Sequence, residues 1–152
     1  MIDLLNIAIR GHDISNIENI QQLATKAKEL GAQSLQLALG ISFPNLKCDL
    51  ENMNPGLGKY FYRVLDKENI DVAILSCYIN MIHPDLEIRE KLLKKFESYI
   101  KYAKYFGATM VASETGCVYP EIKYTEKNFA EDVFKEAVSV IKRLVKSGEK
   151  YN

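Results

Sequence analysis

Two patterns of apolar residues alternate along this chain. Short, nearly continuous apolar runs, as in strands buried on both faces, are separated by longer stretches with helical spacing. Residues 4–9 read as the first strand, bounded by Gly11. Ser15-Asn16-Ile17-Glu18 has the form of a capping box, in which Ser and Glu each satisfy an end amide of a helix. Ile17, Ile20, Leu23, Ala24, Ala27 and Leu30 then share one helical face, and Gly31 supplies the left-handed stop. Residues 34–39 form the second strand, released by Gly40. Residues 41–58 hold Pro44, Asn54, Pro55, Gly56 and Gly58 and read as a loop, and loops this long are often functional. Tyr60, Phe61, Val64 and Leu65 mark a second helix that stops at Asn69. Residues 72–78 are the third strand. Asp85 caps a third helix buried through Leu92, Phe96, Tyr99, Ala103 and Phe106, and Gly107 ends it. Residues 109–113 are the fourth strand. After a loop, Thr125 caps a fourth helix with Phe129, Val133, Ala137, Val140, Ile141, Leu144 and Val145 turned inward, stopped at Ser147-Gly148.

The helix stops lie at 31, 69, 107 and 148, intervals of 38, 38 and 41 residues. Regular spacing of this kind marks a repeated unit. Strand and helix alternating without interruption predict an α/β fold of four successive βα units, with parallel strands and right-handed crossovers. A closed TIM (β/α)8 barrel needs eight such units, and the sequence stops where a fifth strand would begin. The expectation is therefore a single domain over residues 1–152 that is half of a TIM barrel. Chemistry in such folds gathers at the carboxyl ends of the strands. A half barrel leaves its first and fourth strands with open edges, which predicts a homodimer.

The chain has 152 residues, of which 47% are hydrophobic and 26% charged, as expected for an ordinary globular domain. Its 20 basic and 20 acidic residues balance to +0, without the basic excess of a nucleic-acid binder. The N-terminus lacks the basic and apolar regions of a signal peptide, and no run would span a bilayer, so neither nucleic acid nor membrane is an expected partner. Cys48, Cys77 and Cys117 are odd in number and widely spaced, which suits reduced thiols in the cytoplasm, with Cys77 and Cys117 packed in the interior. No HExxH or paired-His spacing and no phosphate-binding P-loop occur, so no complete metal site is expected within the chain. Asn54-Pro55-Gly56-Leu57-Gly58 has two glycines but no diagnostic pattern.

Four segments carry a resemblance: Ile7-Ala8-Ile9-Arg10-Gly11-His12-Asp13, Leu30-Gly31-Ala32-Gln33-Ser34-Leu35-Gln36-Leu37, Cys77-Tyr78-Ile79-Asn80-Met81-Ile82-His83-Pro84-Asp85, and Gly107-Ala108-Thr109-Met110-Val111-Ala112-Ser113-Glu114-Thr115-Gly116. In this order and spacing the chain resembles the N-terminal half of the sugar phosphate isomerase/epimerase family, within the xylose isomerase-like TIM barrels. The resemblance implies a sugar or sugar-phosphate substrate and proton transfer between adjacent sugar carbons. It also implies a divalent metal (Mn, Mg, Co or Zn) in the full-length family. In the family the metal ligands come from the fifth to eighth strands, so the isolated chain is expected to hold no metal and to be inactive, as a shortened gene product or a cut fragment would be. The DNA-repair branch of these barrels carries metal-binding His at the ends of its early strands. Here Leu75-Ser76-Cys77-Tyr78 and Ala112-Ser113-Glu114-Thr115 contain none, which favours the sugar branch.

Five residues are candidates for substrate binding. His12, just past the first strand, is placed to donate to a sugar hydroxyl, or is tied to local backbone. His83 follows the third strand; the resemblance puts it near the substrate mouth, and the alternative is a residue that leads into the third helix. Glu114 closes an apolar strand, where a carboxylate is costly to bury without a partner; it suits a sugar hydroxyl, or pairing with a cation such as Arg10. Tyr78 and Phe43 would line an apolar wall for a sugar face, or pack in the core. The contrasting reading of the whole chain is a non-catalytic half-barrel that dimerises or binds a small sugar-like ligand.

Overall fold

The structure, a computed structural model, describes residues 7–47 and 52–151. Four strands, β1 (Ala8–Arg10), β2 (Ser34–Leu37), β3 (Asp71–Ser76) and β4 (Met110–Ala112), form one parallel sheet in the order β1-β2-β3-β4. Chain order equals spatial order, as the four-unit reading expects, and the fold class is α/β. Of the first strand expected at 4–9, residues 4–6 lie outside the described part, as does Cys48. The described residues cluster into two compact units, Met1–Ser76 with Tyr102–Ala112, and Cys77–Lys101 with Ser113–Asn152.

The first unit holds the whole sheet. Leu35, Leu37 and Leu75 are fully buried and Val72 nearly so; burying a leucine contributes about 1.5–3 kcal/mol. Strand residues alternate in direction, and the other face carries Ala8, Arg10, Gln36, Ile74, Met110 and Ala112, all partly or fully exposed. Helix α1 (Ile20–Glu29) begins later than the capping-box reading placed it. Asn19 is the cap, its side chain accepting from Gln22 N at 3.0 Å, while Gln22 Oε1 accepts from Glu18 N at 2.8 Å. The reciprocal pair is as expected but shifted four residues, because Asn16 adopts a left-handed φ of 59°. Ile20, Leu23, Ala24 and Ala27 are buried, but Leu30 lies past the helix and is exposed.

Of the stretch 41–58, the described residues, 41–47 and 52–58, are less of a loop than its Pro and Gly content suggests. Gly40 sits inside a short helix, α2 (Leu39–Ser42), so the second strand ends at Leu37. Asn54 caps α3 (Pro55–Lys67), with Pro55 in its first turn, where no amide partner is lost. Phe61 and Leu65 of α3 are buried; Tyr60 is half exposed and donates nothing to the core stripe. Phe61 packs edge-on to Phe43 and tilted to Phe106, at centroid distances of 5.6 and 5.8 Å. Asn69 (φ 56°) and Gly107 (φ 76°) are left-handed stops at the expected positions.

The second unit is built on α4 (Leu86–Tyr102, its residues up to Lys101) and α5 (Glu131–Gly148). Asp85 caps α4 as expected, accepting from Ile88 N and Glu87 N at 3.0 and 2.9 Å. Thr125 caps only a 3-10 turn, Glu126–Phe129, and α5 starts at Glu131. Val140 and Leu144 of α5 are buried, but Phe129, Ile141 and Val145 of the expected stripe are exposed, as is Phe134. Two arginines cross-link the helices. Arg89, buried, pairs with Glu136; Arg143 takes Glu90 through two nitrogens at 2.6 and 3.0 Å and Glu97 at 2.8 Å.

These contacts set an acid limit. The amides of Ile88 and Glu87 hold the Asp85 carboxyl below its ordinary 3.8, and the Arg143 hydrogen bond holds Glu90 below its ordinary 4.5. A carboxyl with a depressed folded pKa contributes stability above its unfolded pKa and loses it as pH falls through the folded one. Stability is therefore expected to fall as pH drops below about 4.5, and Glu90→Gln should flatten that fall. Urea unfolding between pH 7 and pH 3 tests this; parallel curves for the two proteins would refute it.

Candidate functional site

In the first unit, the carboxyl ends of β1 to β3 gather polar groups on the exposed face of the sheet. Arg10 and Gln36 are register partners on adjacent strands. Gln36 also pairs with Ile74, and Ser76 lies two residues further on the same face. Gln36 Nε2 donates to Ser76 Oγ at 2.9 Å, so the row is joined across the strands. Beyond β1 the chain turns at once through the 3-10 turn Gly11–Asp13, which lies against β2 and α2.

That turn brings His12 back to Arg10. Arg10 Nε lies 3.0 Å from His12 Nε2, and a second guanidinium nitrogen 2.6 Å from it, with Asp13 at 3.6 Å. A guanidinium can only donate, so His12 Nε2 accepts, and the neutral ring carries its proton on Nδ1. His12 is thus an orienting partner of a cation. Arg10, which the sequence offered only as a partner for Glu114, is the charged group of the row. Ser76 is buried, so what the row presents is a cation and an amide, the amide held from beneath by the Ser76 hydroxyl. Such a set suits a polyhydroxylated ligand, and an anionic one in particular.

Phe43 is buried and its ring packs edge-on to Phe61, the core role weighed for it. It also borders a cavity of about 560 Å³ with Asn19, Asn45, Leu46 and Tyr60.

In the second unit, the segments that follow β3 and β4 are tied together by Asn80. This buried side chain accepts from Cys117 N at 2.8 Å and Ile82 N at 3.3 Å and donates to the Tyr119 carbonyl at 2.8 Å. Ser113 Oγ accepts from Ile79 N at 3.1 Å. Gly116 passes so close that a Cβ there would lie 2.5 Å from Asn80 Oδ1. Three sequence candidates ride on these segments: Tyr78, half-buried; His83, buried; and Glu114, exposed. His83 Nδ1 lies 3.1 Å from Asp85 N, an amide that can only donate, so Nδ1 accepts and the neutral ring keeps Nε2–H as its donor. The His83 carbonyl takes Arg89 Nε at 2.7 Å, so His83 also serves as the residue leading into α4. Asn80 and Ser113 lie in segments that carry the resemblance but were not among the candidates; their hydrogen bonds, and for Asn80 its burial, reveal them. Cys77 and Cys117 are buried, as expected, and neither is in a disulfide.

The description of a xylose isomerase-like TIM barrel matches residues 18–152, nearly the whole chain. The chain belongs to the xylose isomerase-like TIM barrel family. Among solved structures it is similar to a candidate xylose isomerase from Rhodospirillum rubrum, with TM-score 0.70, 11% identity, and coverage of 97% of this chain and 51% of that one. It is also similar to a xylose isomerase domain protein from Planctomyces limnophilus, with TM-score 0.62, 12% identity, and coverage of 96% and 51%. At these identities the likeness is one of fold, and the chain spans about half the length of either structure. No curated protein matches. The fold of this chain is thus that of part of such a barrel, and the row at Arg10, Gln36 and Ser76 stands where barrels keep their chemistry. Among the described residues no group of three or more His, Cys, Asp or Glu is placed to hold a metal ion, so they do not fit one and no step is assigned to a metal. Among them, too, no helix is long and apolar enough to cross a membrane.

Proposed function

We propose that this chain supplies part of the substrate-binding rim of a sugar or sugar-phosphate isomerase/epimerase. The reaction class is proton transfer between adjacent sugar carbons. The observation that carries the reading is the joined row of Arg10, Gln36 and Ser76, with His12 holding the guanidinium, at the strand ends of a xylose isomerase-like barrel. Gln36, held by Ser76, binds a hydroxyl, and Arg10 binds a phosphate or an oxygen that gains negative charge. In the second unit, taken by itself, Glu114, His83 and Tyr78 are proposed as substrate-binding residues. The divalent metal of the full-length family is left to residues outside those described. The cytoplasm is the proposed location.

Ligand-observed NMR with aldoses, ketoses and their phosphates tests the reading. Hydrogen bonds to charged groups contribute about 1.5–3 kcal/mol, so Arg10→Ala is expected to weaken binding of a sugar phosphate roughly 10-fold or more. Binding of no sugar by the parent chain, or equal binding by the variant, would overturn it. A second reading, a non-catalytic half-barrel that binds a sugar-like ligand or dimerises, is favoured by the one-sided pairing of β1 and β4 among the described residues. Hydrogen exchange in D₂O with Mn²⁺, measured on this chain joined to the second half of one of the solved barrels, separates the two: an isomerase exchanges hydrogen at the carbon beside the carbonyl, and a binding module does not.

A further inference from the structure

We infer that Tyr119, Lys123 and Lys127, in the second unit, bind the phosphate group of a phosphorylated sugar, a step that rests on the sugar-binding reading above and sets its substrate class as phosphate monoesters. Three polar side chains meet around one half-buried ring. Lys123 Nζ stands 4.4 Å from the centre of the Tyr119 ring, and Lys127 Nζ stands 5.5 Å from it. The two ammonium groups therefore share one neighbourhood. Several other cations of this unit have carboxylate partners: Arg89 has Glu136, Arg143 has Glu90 and Glu97, Lys94 has Glu90, and Lys135 has Glu131. Among the described residues Lys123 and Lys127 are in no ion pair. Glu121 and Glu126, the carboxylates of the same stretch, are exposed and pair with neither.

The stretch is tied down so that these groups stay together. Asn80 accepts from Cys117 N and donates to the Tyr119 carbonyl, each at 2.8 Å. Asn128 Oδ1 accepts from Val118 N at 3.1 Å, and Cys117 Sγ donates to the Lys123 carbonyl at 3.2 Å. Thr125 Oγ1 accepts from Lys127 N at 3.3 Å. The backbone of all three residues is thus fixed before a ligand arrives, which lowers the ordering cost of binding. Hydrogen bonding from Lys127, chiefly, holds the Tyr119 phenol below its ordinary pKa. A phenol oxygen that accepts from an ammonium still has its own hydrogen to donate. Two ammonium groups and one phenol therefore offer donors to a single anion. A phosphate monoester carries a charge of about −1.5 to −2 at pH 7 and three acceptor oxygens. It matches two cations and a hydroxyl; a carboxylate, singly charged, leaves one cation unanswered.

Chemical-shift titration of the full chain with inorganic phosphate, then with an aldose and its phosphate ester, tests this. The ester is expected to bind more tightly than the free sugar. Lys123→Gln and Lys127→Gln are each expected to weaken the ester roughly 10-fold and to leave the free sugar unchanged. Both lysines are exposed, so neither change disturbs the core. Bound phosphate is also expected to raise the pH at which the Tyr119 phenol ionises, since a nearby anion disfavours phenolate; the signal is the tyrosinate absorbance that Tyr119→Phe removes. Equal binding of ester and free sugar, lysine variants that bind the ester as the parent chain does, acetate binding as well as phosphate, or an unmoved phenol would each overturn the assignment. So would loss of the ester in Arg10→Ala with both lysine variants unchanged, which leaves the sugar reading intact. Inorganic phosphate that binds and is lost in the lysine variants, with no sugar bound, would sustain the anion site and sink the sugar reading.

Discussion

Gly116→Ala is expected to cost about 2–4 kcal/mol of unfolding free energy. Gly116 has φ 93°, where an L side chain is strained. A Cβ would stand 2.5 Å from Asn80 Oδ1, 2.7 Å from Met81 N and 3.1 Å from Ile82 N. Two of these neighbours are backbone atoms. The third belongs to a buried side chain that already holds Cys117 N, Ile82 N and the Tyr119 carbonyl. Relief therefore means breaking bonds that tie the segment after β3 to the segment after β4, and leaving buried polar groups unmet adds its own cost. Urea unfolding measures the loss. A change within about 0.5 kcal/mol, the range of ordinary surface substitutions, would show that Asn80 is not the fixed point described here.

Gly58→Ala sets two effects against each other. Inside a helix, alanine is favoured over glycine by about 0.5–1 kcal/mol. Gly58, however, is where α3 meets the 3-10 turn Ala103–Phe106: its Cβ would lie 2.6 Å from Tyr105 Cβ, 2.9 Å from Tyr105 C and 3.1 Å from Phe106 Cδ2. Overpacking costs typically about 1–3 kcal/mol, and a backbone carbon cannot swing aside as a side-chain tip can. Packing wins, for a net loss of about 1–2 kcal/mol. Gly148→Ala is the control. It ends α5 with its nearest neighbour, Ile100 Cγ2, 3.9 Å away, so propensity acts alone and stability should rise by up to about 1 kcal/mol. Equal shifts in the two variants, read as urea midpoints, would sink the argument.

The glycines also show how far the sequence could be read. Gly31, Asn69 and Gly107 all stop helices in the left-handed conformation, as their places in the apolar pattern foretold. A helix stop is a local event, set by a few residues and one φ angle, and the repeat of such stops was enough to give four parallel βα units. Gly58 looked like part of a loop, yet it is a packing notch, because its use depends on Tyr105, 47 positions away in the chain. Helix α1 slipped for a milder reason: Ser15 and Asn19 are both good caps, and the left-handed turn at Asn16 selects the second. On α5, periodicity rightly marked an apolar stripe, but period alone does not say which side is covered; Val140 and Leu144 are buried while Ile141 and Val145 are not.

The candidate site divides in the same way. Residue type and position after a strand singled out His12, His83, Glu114, Tyr78 and Phe43, since a strand's carboxyl end can be read from the local pattern. That His12 accepts from Arg10, that Gln36 reaches Ser76 and that Asn80 gathers three backbone groups could not be read so. The alternation of apolar runs and helical stripes is written in neighbouring residues, and it dictates strand order and direction. Which polar atoms meet depends on register between strands some 40 residues apart, where one residue of shift turns every side chain to the opposite face. That register is chosen by the packed core as a whole, and so it emerges only when the chain has folded.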